Sequence, residues 1–460
     1  MVVKRPLLMG IALGALLGTV TTWNRFAAAV LLVSIVTLFM PLPALMVLFF
    51  VAAMLTRVVW HFGVLSIRPD QILLLPLSIR LVFFLLSKTK SGQVTPRVSA
   101  YAMASVLLWF CLCVVSSFVL SSDVAASLRD VVWIGLSVWS GLVVYVAARV
   151  QMVGAGFLMD SFKWVVLLEV ASGVGGYLYH LATHTALGVQ LNPSTHQYQA
   201  YGTSVEANIF GSIAAIGLFL WLPTGRDERW YKYWASAICL AGVYLSLTRG
   251  VWLATVFAFL ILVMSGRVRV KPIYLLLVAL PLVAASALRT LVGRISFHAQ
   301  DLVVRLTANV QAVSQWVQGG WSHWLLGFGV DSWGFTHFIF NYGVLQPAWL
   351  GTQIVQTLYD TGLLGLLFLS LAVSSLIYGL WHTRDDRATR LLGGILALAV
   401  TYQDTTALWF GFTWIYVGLC LVAIGRSQVG EVTQENQVES YRKPSGGCIG
   451  AVELGEVIRD

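Results

Sequence analysis

Charge is what this chain has least of. Asp, Glu, Lys and Arg make up 11% of its 460 residues, against about 25% in an ordinary soluble domain. That shortage excludes a soluble globular enzyme, and equally a disordered chain, which is poor in apolar residues and rich in charge. Cysteine is scarce too. Of five, Cys111, Cys113, Cys239 and Cys420 lie inside apolar runs and Cys448 lies near the C-terminus, so neither zinc-ligand spacing nor a disulfide framework appears. Strand-like alternation is missing, which argues against a membrane barrel. No P-loop, dinucleotide fingerprint, HExxH or GxSxG sequence occurs, so ATPase, dehydrogenase and common hydrolase chemistries have no support. No internal repeat is visible.

What fills the space is apolar. Hydrophobic residues make up 58% of the chain, with 18 Trp and 23 Phe. A membrane-crossing helix needs about 20 mostly apolar residues. Such runs occur near 7–22, 26–40, 42–60, 70–87, 99–121, 129–149, 160–182, 207–222, 231–247, 249–265, 272–290, 352–381, 388–401 and 404–424. Lys4-Arg5 followed by an apolar run resembles a signal peptide, but a second run follows at once, so a first uncleaved span is expected. The fold class is therefore all-α, a polytopic bundle of about 12–14 spans. It divides into a transmembrane part, 1–425, and a polar tail, 426–460, read as a disordered cytoplasmic segment.

Sidedness follows from Lys and Arg in short loops. Residues 1–425 carry 25 basic against 14 acidic side chains. In a soluble protein such an excess suggests nucleic acid; here it marks cytoplasmic loops, and no nucleic-acid partner is expected. Lys88, Lys90 and Arg97; Arg149 and Lys163; Arg226, Arg229 and Lys232; Arg267, Arg269 and Lys271; and Arg384, Arg387 and Arg390 fall on one side if the N-terminus is cytoplasmic. The loop 60–69, with His61 and Arg68, fits this pattern less well. The opposite side receives 122–128, 183–206, 291–351 and the tip at 402–403. The segment 291–351 is the longest, and long ordered loops usually carry function. Leu302, Leu306, Val310, Val313 and Val317 recur at helical spacing after Asp301 as an N-cap, which predicts a helix in the membrane interface. Gly319-Gly320 and Gly327-Phe328-Gly329 then break the chain into turns.

Several polar residues stand out against this background. Arg249 lies where two apolar runs meet on the side that the positive-inside rule leaves poor in cations. An Arg inside a span costs about 2.5–3.5 kcal/mol on insertion scales, and its planar fork of donors suits phosphate or carboxylate; the competing reading is a pair with a structural acid. Arg305 lies on the expected interfacial helix, Arg289 and Arg294 flank the start of the long loop, and Arg129 opens a span from the same side. Together they are candidates to hold an anion. Glu206, just before Asn208 at the start of a span, is a candidate base, or simply an acid favoured by a helix N-terminus. Glu169 and His180 lie in the 160–182 span. Asp331, His337, Gln353 and Asp360 gather around the end of the long loop, with Gln403 and Asp404 at the last hairpin tip. His337 has a suitable ordinary pKa for a base, although a lone loop histidine is more often solvated.

Three segments together resemble the O-antigen ligase and O-antigen polymerase family of bacterial inner-membrane proteins. Ser246-Leu247-Thr248-Arg249-Gly250-Val251-Trp252-Leu253 is similar to its Ser-x-Ser/Thr-Arg-Gly-x-Trp-Leu signature. Tyr201-Gly202-Thr203 followed by Glu206-Ala207-Asn208 resembles its Gly-Thr-Phe-x-x-Pro-Asn segment, with Ala207 in place of Pro. Asp301 to Arg305, then Leu325-Leu326-Gly327-Phe328-Gly329, then Tyr359-Asp360-Thr361-Gly362-Leu363-Leu364-Gly365-Leu366 resemble its loop and the helix that follows. The likeness spans roughly residues 200–370.

The resemblance implies a metal-independent, cofactor-free membrane glycosyltransferase whose donor is a glycan on undecaprenyl diphosphate, presented at the outer face of the cytoplasmic membrane. Arg249 and Arg305 would bind the diphosphate, and Glu206 or Asp360 would be the base. Arg129, Arg289, Arg294, Asn208, Asp331, His337 and Gln353 would contribute to substrate binding. Ligase members usually carry a His-Asn pair where this chain has Gly351-Thr352, and an Arg where it has Gln199. Both departures favour a polymerase, which joins the glycan to a hydroxyl of another lipid-linked repeat, over a ligase acting on lipid A core or protein. A glycolipid flippase is the alternative of another class. Expected partners are the lipid-linked donor, a glycan or glycolipid acceptor, the bilayer and a chain-length regulator.

Overall fold

The computed structural model describes residues 25–425 apart from 63–64, 88–96, 193–196, 225–228, 269–298, 342–343, 348–349, 384, 404 and 406–407. The spans expected at 7–22 and 272–290, Arg289, Arg294, Asp404 and the tail 426–460 lie outside those residues.

The remaining apolar runs all become helices: α1 (Arg25–Phe39), α2 (Leu42–Met54), α3 (Pro69–Ser87), α4 (Arg97–Val119), α5 (Val124–Arg149), α6 (Ala155–Thr183), α7 (Ala207–Trp221), α8 (Trp230–Leu245) and α9 (Arg249–Met264). After the long loop come α13 (Gln353–His382), α14 (Asp386–Thr401) and α15 (Gly411–Gly425). The long loop itself holds α10 (Ala299–Gln318), α11 (Gly320–Leu326) and α12 (Ser332–Thr336). Five of the helices, α3 to α6 and α13, are long and apolar enough to cross a membrane. The protein is a polytopic membrane helical bundle.

Several boundaries differ from the sequence reading. The run 42–60 stops being helical at Met54, and the run 404–424 starts at Gly411. α5 begins at Val124 because Asp123 accepts the Ala126 N–H at 3.0 Å, so Arg129 lies inside the helix rather than at its opening. α10 begins at Ala299, which places Asp301 within its first turn and not at the cap. The strands, absent from the sequence reading, form three short antiparallel hairpins: β1 (Trp60–Phe62) with β2 (Leu65–Ile67), β3 (Val189–Asn192) with β4 (Gln197–Ala200), and β5 (Phe338–Asn341) with β6 (Val344–Pro347).

α7 is the centre of the bundle. Apart from Asn208 every residue in it is buried, as expected for a helix that is apolar all round. α6, α8 and α14 enclose it. Small residues allow the closest approaches, as is usual between helices in a membrane. A Cβ on Gly141 of α5 would lie 2.2 Å from the Trp414 carbonyl oxygen of α15.

The loops sort into two sets at opposite ends. At one end Arg267 donates to the carbonyls of Leu380 and Thr383 and to Trp381, Arg390 donates to Leu222 O at 3.0 Å, and Lys163 lies 3.7 Å over the Trp221 ring. This is the basic end. At the other, Arg57 N–H bonds Thr203 O, the Ser127 hydroxyl bonds Val330 O at 2.7 Å, and Gln353 N–H bonds Tyr402 O at 2.9 Å. Lys163, Arg267 and Arg390 thus share the end expected of them, while Lys88, Lys90, Arg226, Arg269, Lys271 and Arg384 lie outside the described residues. Arg68, the cation that fitted it poorly, is not a loop charge: it is 2% exposed, 3.3 Å from Asp70, and lies between the Trp133 and Phe410 rings.

Candidate functional site

The N-terminus of α7 opens at the middle of the non-basic end, and three separate segments meet there. The first is the turn before α7. Glu169, deep in α6, accepts Thr203 N–H at 2.9 Å and the Thr203 hydroxyl at 2.6 Å, and lies 3.4 Å from the Ser204 hydroxyl. Its carboxylate therefore holds the 202–204 turn. Gly202, at φ 59°, fits because a Cβ there would lie 2.7 Å from the same carboxylate. This turn delivers Glu206 as the residue before the helix, with no hydrogen bond from its side chain to the helix N-terminus. Glu206 thus does not act as an ordinary cap.

The second segment is the α8–α9 turn. Ser246 donates to Val243 O at 2.7 Å, Trp252 Nε1 donates to the same carbonyl at 2.8 Å, and the Trp252 ring stacks on Tyr244. Leu247 takes a left-handed φ of 53° to close the turn. The Thr248 hydroxyl donates to Asn208 Oδ1 at 3.1 Å. The residue after Thr248 is Arg249, exposed at the first position of α9. Serine, threonine and tryptophan of the motif thus build the turn, and arginine is the part left to face outward.

The third segment is α10. Arg305 is the cation that opposes burial at Glu206: burial raises the carboxyl's pKa, and the Arg305 charge lowers it. On its other side Arg305 lies against Gly351, where a Cβ would be 3.4 Å from Arg305 Cδ. One turn further along α10, Asn309 donates to the Thr352 hydroxyl at 2.8 Å. α10 is thereby clamped between the start of α7 and the start of α13. Its apolar stripe points away from the protein, with Leu306 53%, Val310 68% and Val317 52% exposed, while Ala312 and Trp316 pack on Leu350, Trp333 and Tyr359.

Glu206, Asn208 and Arg305 thus share the mouth of α7, and Arg249 follows directly on Thr248, which bonds Asn208 there. Arg57, read from the sequence as part of a span, joins them: its guanidinium lies 4.7 Å from the Tyr201 ring centre. A cation in the last turn of an apolar run was the available signal.

The other expected site residues lie elsewhere. Arg129 pairs with its neighbour Asp130 at 3.1 Å. Asp331, left-handed at φ 56°, lies near that pair; burial and the Asp130 charge push its carboxyl up to about 7 against the pull of Arg129. His337 stacks on Trp333 at 3.6 Å, receives Gln315 Nε2 at Nε2 and lies beside Thr336, so it belongs to an aromatic cluster with Tyr359 and Phe328. His180 is held between Thr185 O and the Tyr198 ring.

Asp360 and Gln353 occupy a separate cavity below the surface. Both Asp360 oxygens receive the Gln356 amide at 2.9 Å, and Gln353 Nε2 donates to Thr357. Immediately beyond, α13 is broken: Gly362 has φ 66° and ψ −166°, outside any helix. The freed carbonyls of Tyr359 and Asp360 take N–H bonds from Phe328 at 2.7 Å and Gly329 at 3.0 Å, and the Ser116 hydroxyl also donates to Asp360 O at 2.6 Å. A helix is interrupted in a membrane protein only where the backbone is satisfied internally, and here the loop motif Gly327-Phe328-Gly329 supplies the donors. Gly327 and Gly362 are required in turn, because a Cβ on either would lie 2.4 Å from the opposing backbone.

Among the described residues no cluster of His, Cys, Asp and Glu is arranged to hold a metal ion. No protein-family profile and no curated protein matches the chain.

Proposed function

We propose that the protein is a glycan polymerase of the cytoplasmic membrane. It transfers an undecaprenyl-diphosphate-linked glycan onto a hydroxyl of a second lipid-linked repeat, at the end of the bundle opposite the basic loops. By the positive-inside rule that end faces away from the cytoplasm. The observation that carries the reading is the meeting of Arg305 with Glu206 at the mouth of α7, with Arg249 beside Thr248–Asn208. One guanidinium group and one carboxyl from distant segments act on each other there, and Arg249 leaves the turn that Thr248 ties to Asn208; this set suits the needs of the reaction.

The acceptor oxygen attacks the anomeric carbon of the donor. The bond from that carbon to the diphosphate oxygen breaks, and undecaprenyl diphosphate leaves with the electron pair. Arg305 and Arg249 neutralise the charge that grows on the leaving group, and the Glu206 carboxylate takes the proton from the attacking hydroxyl. A half-buried carboxyl with a raised proton affinity suits a base. Because the leaving group is already good, much of the acceleration comes from holding donor and acceptor together. Arg305 lying along Gly351, where ligase-like chains carry a His side chain, supports polymerase over ligase.

The test is elongation of a labelled lipid-linked repeat by the purified protein in liposomes. Arg305→Ala is expected to lower the rate about 100-fold or more, the scale on which loss of one charge-stabilising donor is felt. Full-length ladders from a folded Arg305→Ala protein would reject the assignment.

A further inference from the structure

Periodicity marks an apolar stripe on α10 without saying what covers it, and in the structure it is not the protein. At 3.6 residues per turn the exposed Leu306, Val310 and Val317 fall within about 40° of one another. Thr307, Gln311, Ser314 and Gln318 form a second exposed stripe, centred about 90° further round, and along it Gln318 Nε2 donates to the Ser314 hydroxyl at 3.2 Å. The face that packs on the protein is a third one, Ala308, Ala312 and Trp316. The helix thus turns mostly small residues inward and leaves its branched aliphatic residues outside. From 305 to 318 the only charged residue is Arg305.

α11 prolongs the stripe. Trp324 Nε1 donates to Val317 O at 2.8 Å, which folds the short helix back on the end of α10, and both Trp321 and Trp324 are exposed. α11 also packs on α4, whose last two residues, Phe118 and Val119, are 67% and 62% exposed. α4 is one of the helices long and apolar enough to cross a membrane, so these two residues face acyl chains. The apolar surface of α11 and α10 continues theirs. Tryptophans beside the end of a span suit the membrane–water interface, and an exposed apolar strip bordered by polar residues marks a contact surface. A helix lying in the interface against a bundle needs one side for lipid, an adjacent side for water and a third for protein. α10 has all three.

We propose that the long loop docks on lipid: α10 and α11 lie in the bilayer interface at the non-basic end, with Leu306, Val310 and Val317 among acyl chains and Thr307, Gln311 and Ser314 in water. Bilayer lipid thereby supports the helix that carries Arg305, in addition to the starts of α7 and α13. The contact does not depend on the reaction proposed above. Spin labels test it on the full-length protein in vesicles of phosphatidylethanolamine and phosphatidylglycerol. One label is placed at Leu306→Cys, Val310→Cys or Val317→Cys, and in parallel at Thr307→Cys, Gln311→Cys or Ser314→Cys. The signal of the unsubstituted protein is subtracted for its own cysteines. Oxygen, which concentrates in the bilayer, and a neutral nickel chelate, which stays in water, report depth. The first three labels are expected about 5–10 Å into the headgroup–acyl boundary, relaxed mainly by oxygen, and the second three should be relaxed mainly by nickel. Equal nickel access along both stripes overturns the proposal and puts the loop in water. Exclusion of both reagents from the first stripe overturns it as well, and gives that stripe to a protein, such as a second copy of this chain.

Discussion

Gly362→Ala tests the mating of the broken helix with the long loop. The backbone there has φ 66° and ψ −166°, a region essentially reserved for glycine, and forcing alanine into it costs about 1–3 kcal/mol. The new Cβ would also lie 2.4 Å from the carbonyl carbon and oxygen of Leu325. Backbone cannot rotate out of the way, so an overpacking cost of about 1–3 kcal/mol is added. If the chain retreats instead, the bonds from Phe328 and Gly329 to the 359 and 360 carbonyls go, at about 1 kcal/mol each. The first route comes to roughly 2–6 kcal/mol and the second to roughly 3–5, so about 3–5 is taken for both. With an unfolding entropy near 2.1 cal/mol/K per residue, a chain of this size loses about 1 °C per kcal/mol, so thermal unfolding in detergent should fall by ~3–5 °C. Gly175→Ala is the control, since nothing lies within 4 Å of a Cβ there in the middle of α6. That change should leave the transition unmoved or raise it slightly, because alanine is the better helix former by about 1 kcal/mol. Equal shifts in the two variants would refute the account of the kink.

Two pH dependences follow from half-buried carboxyls. Glu206 must be ionised to accept a proton, so the elongation rate should fall on the acid side of its raised pKa; since Arg305 pulls that pKa down, Arg305→Lys should leave the acid limb nearly in place, while the residual activity of Arg305→Ala should show it moved to higher pH. A limb that stays put in Arg305→Ala would detach Glu206 from Arg305. Asp331 has its carboxyl pushed up to about 7, so its contribution to stability is complete below the ordinary carboxylate range and is lost as pH rises through about 7. The melting temperature should therefore drop between pH 5 and 8, and Asp331→Asn, which tolerates the left-handed backbone, should flatten that drop and raise the value at pH 8.

Much of the architecture could be read from the chain itself, because a bilayer imposes one requirement on every span, a long apolar run. The charge of Arg267 and Arg390 was enough to mark one end. What could not be read were pairings across long separations. Glu169 looked like an intramembrane functional acid, and its bond to Thr203, 34 residues away, makes it the anchor of a turn. Arg68 looked like a misplaced loop cation because nothing in the sequence announces that Trp133 and Phe410 enclose it. Gly362 was visible in a motif, yet the run 352–381 around it is so apolar that continuity was the natural reading. In α10 the periodicity was right and the inference about its cap was wrong: the helix begins at Ala299, two residues before Asp301. Of the candidate site, Glu206, Asn208 and Arg305 come together at the mouth of α7, while Asp360, though also drawn from a motif, lies in a separate cavity, and Arg129 and His337 have other partners.

The interruption at Gly362 has a mechanical meaning. The arm of α13 from Gln353 to Thr361 is anchored to residues 328 and 329 and to Ser116 of α4, whereas the remainder of that helix runs on toward the basic end. The arm is therefore the foot of the long loop rather than the top of the span. Through the Asn309–Thr352 bond α10 is joined to this arm, and so to the Asp360 chamber, at a point that the break separates from the lower bundle.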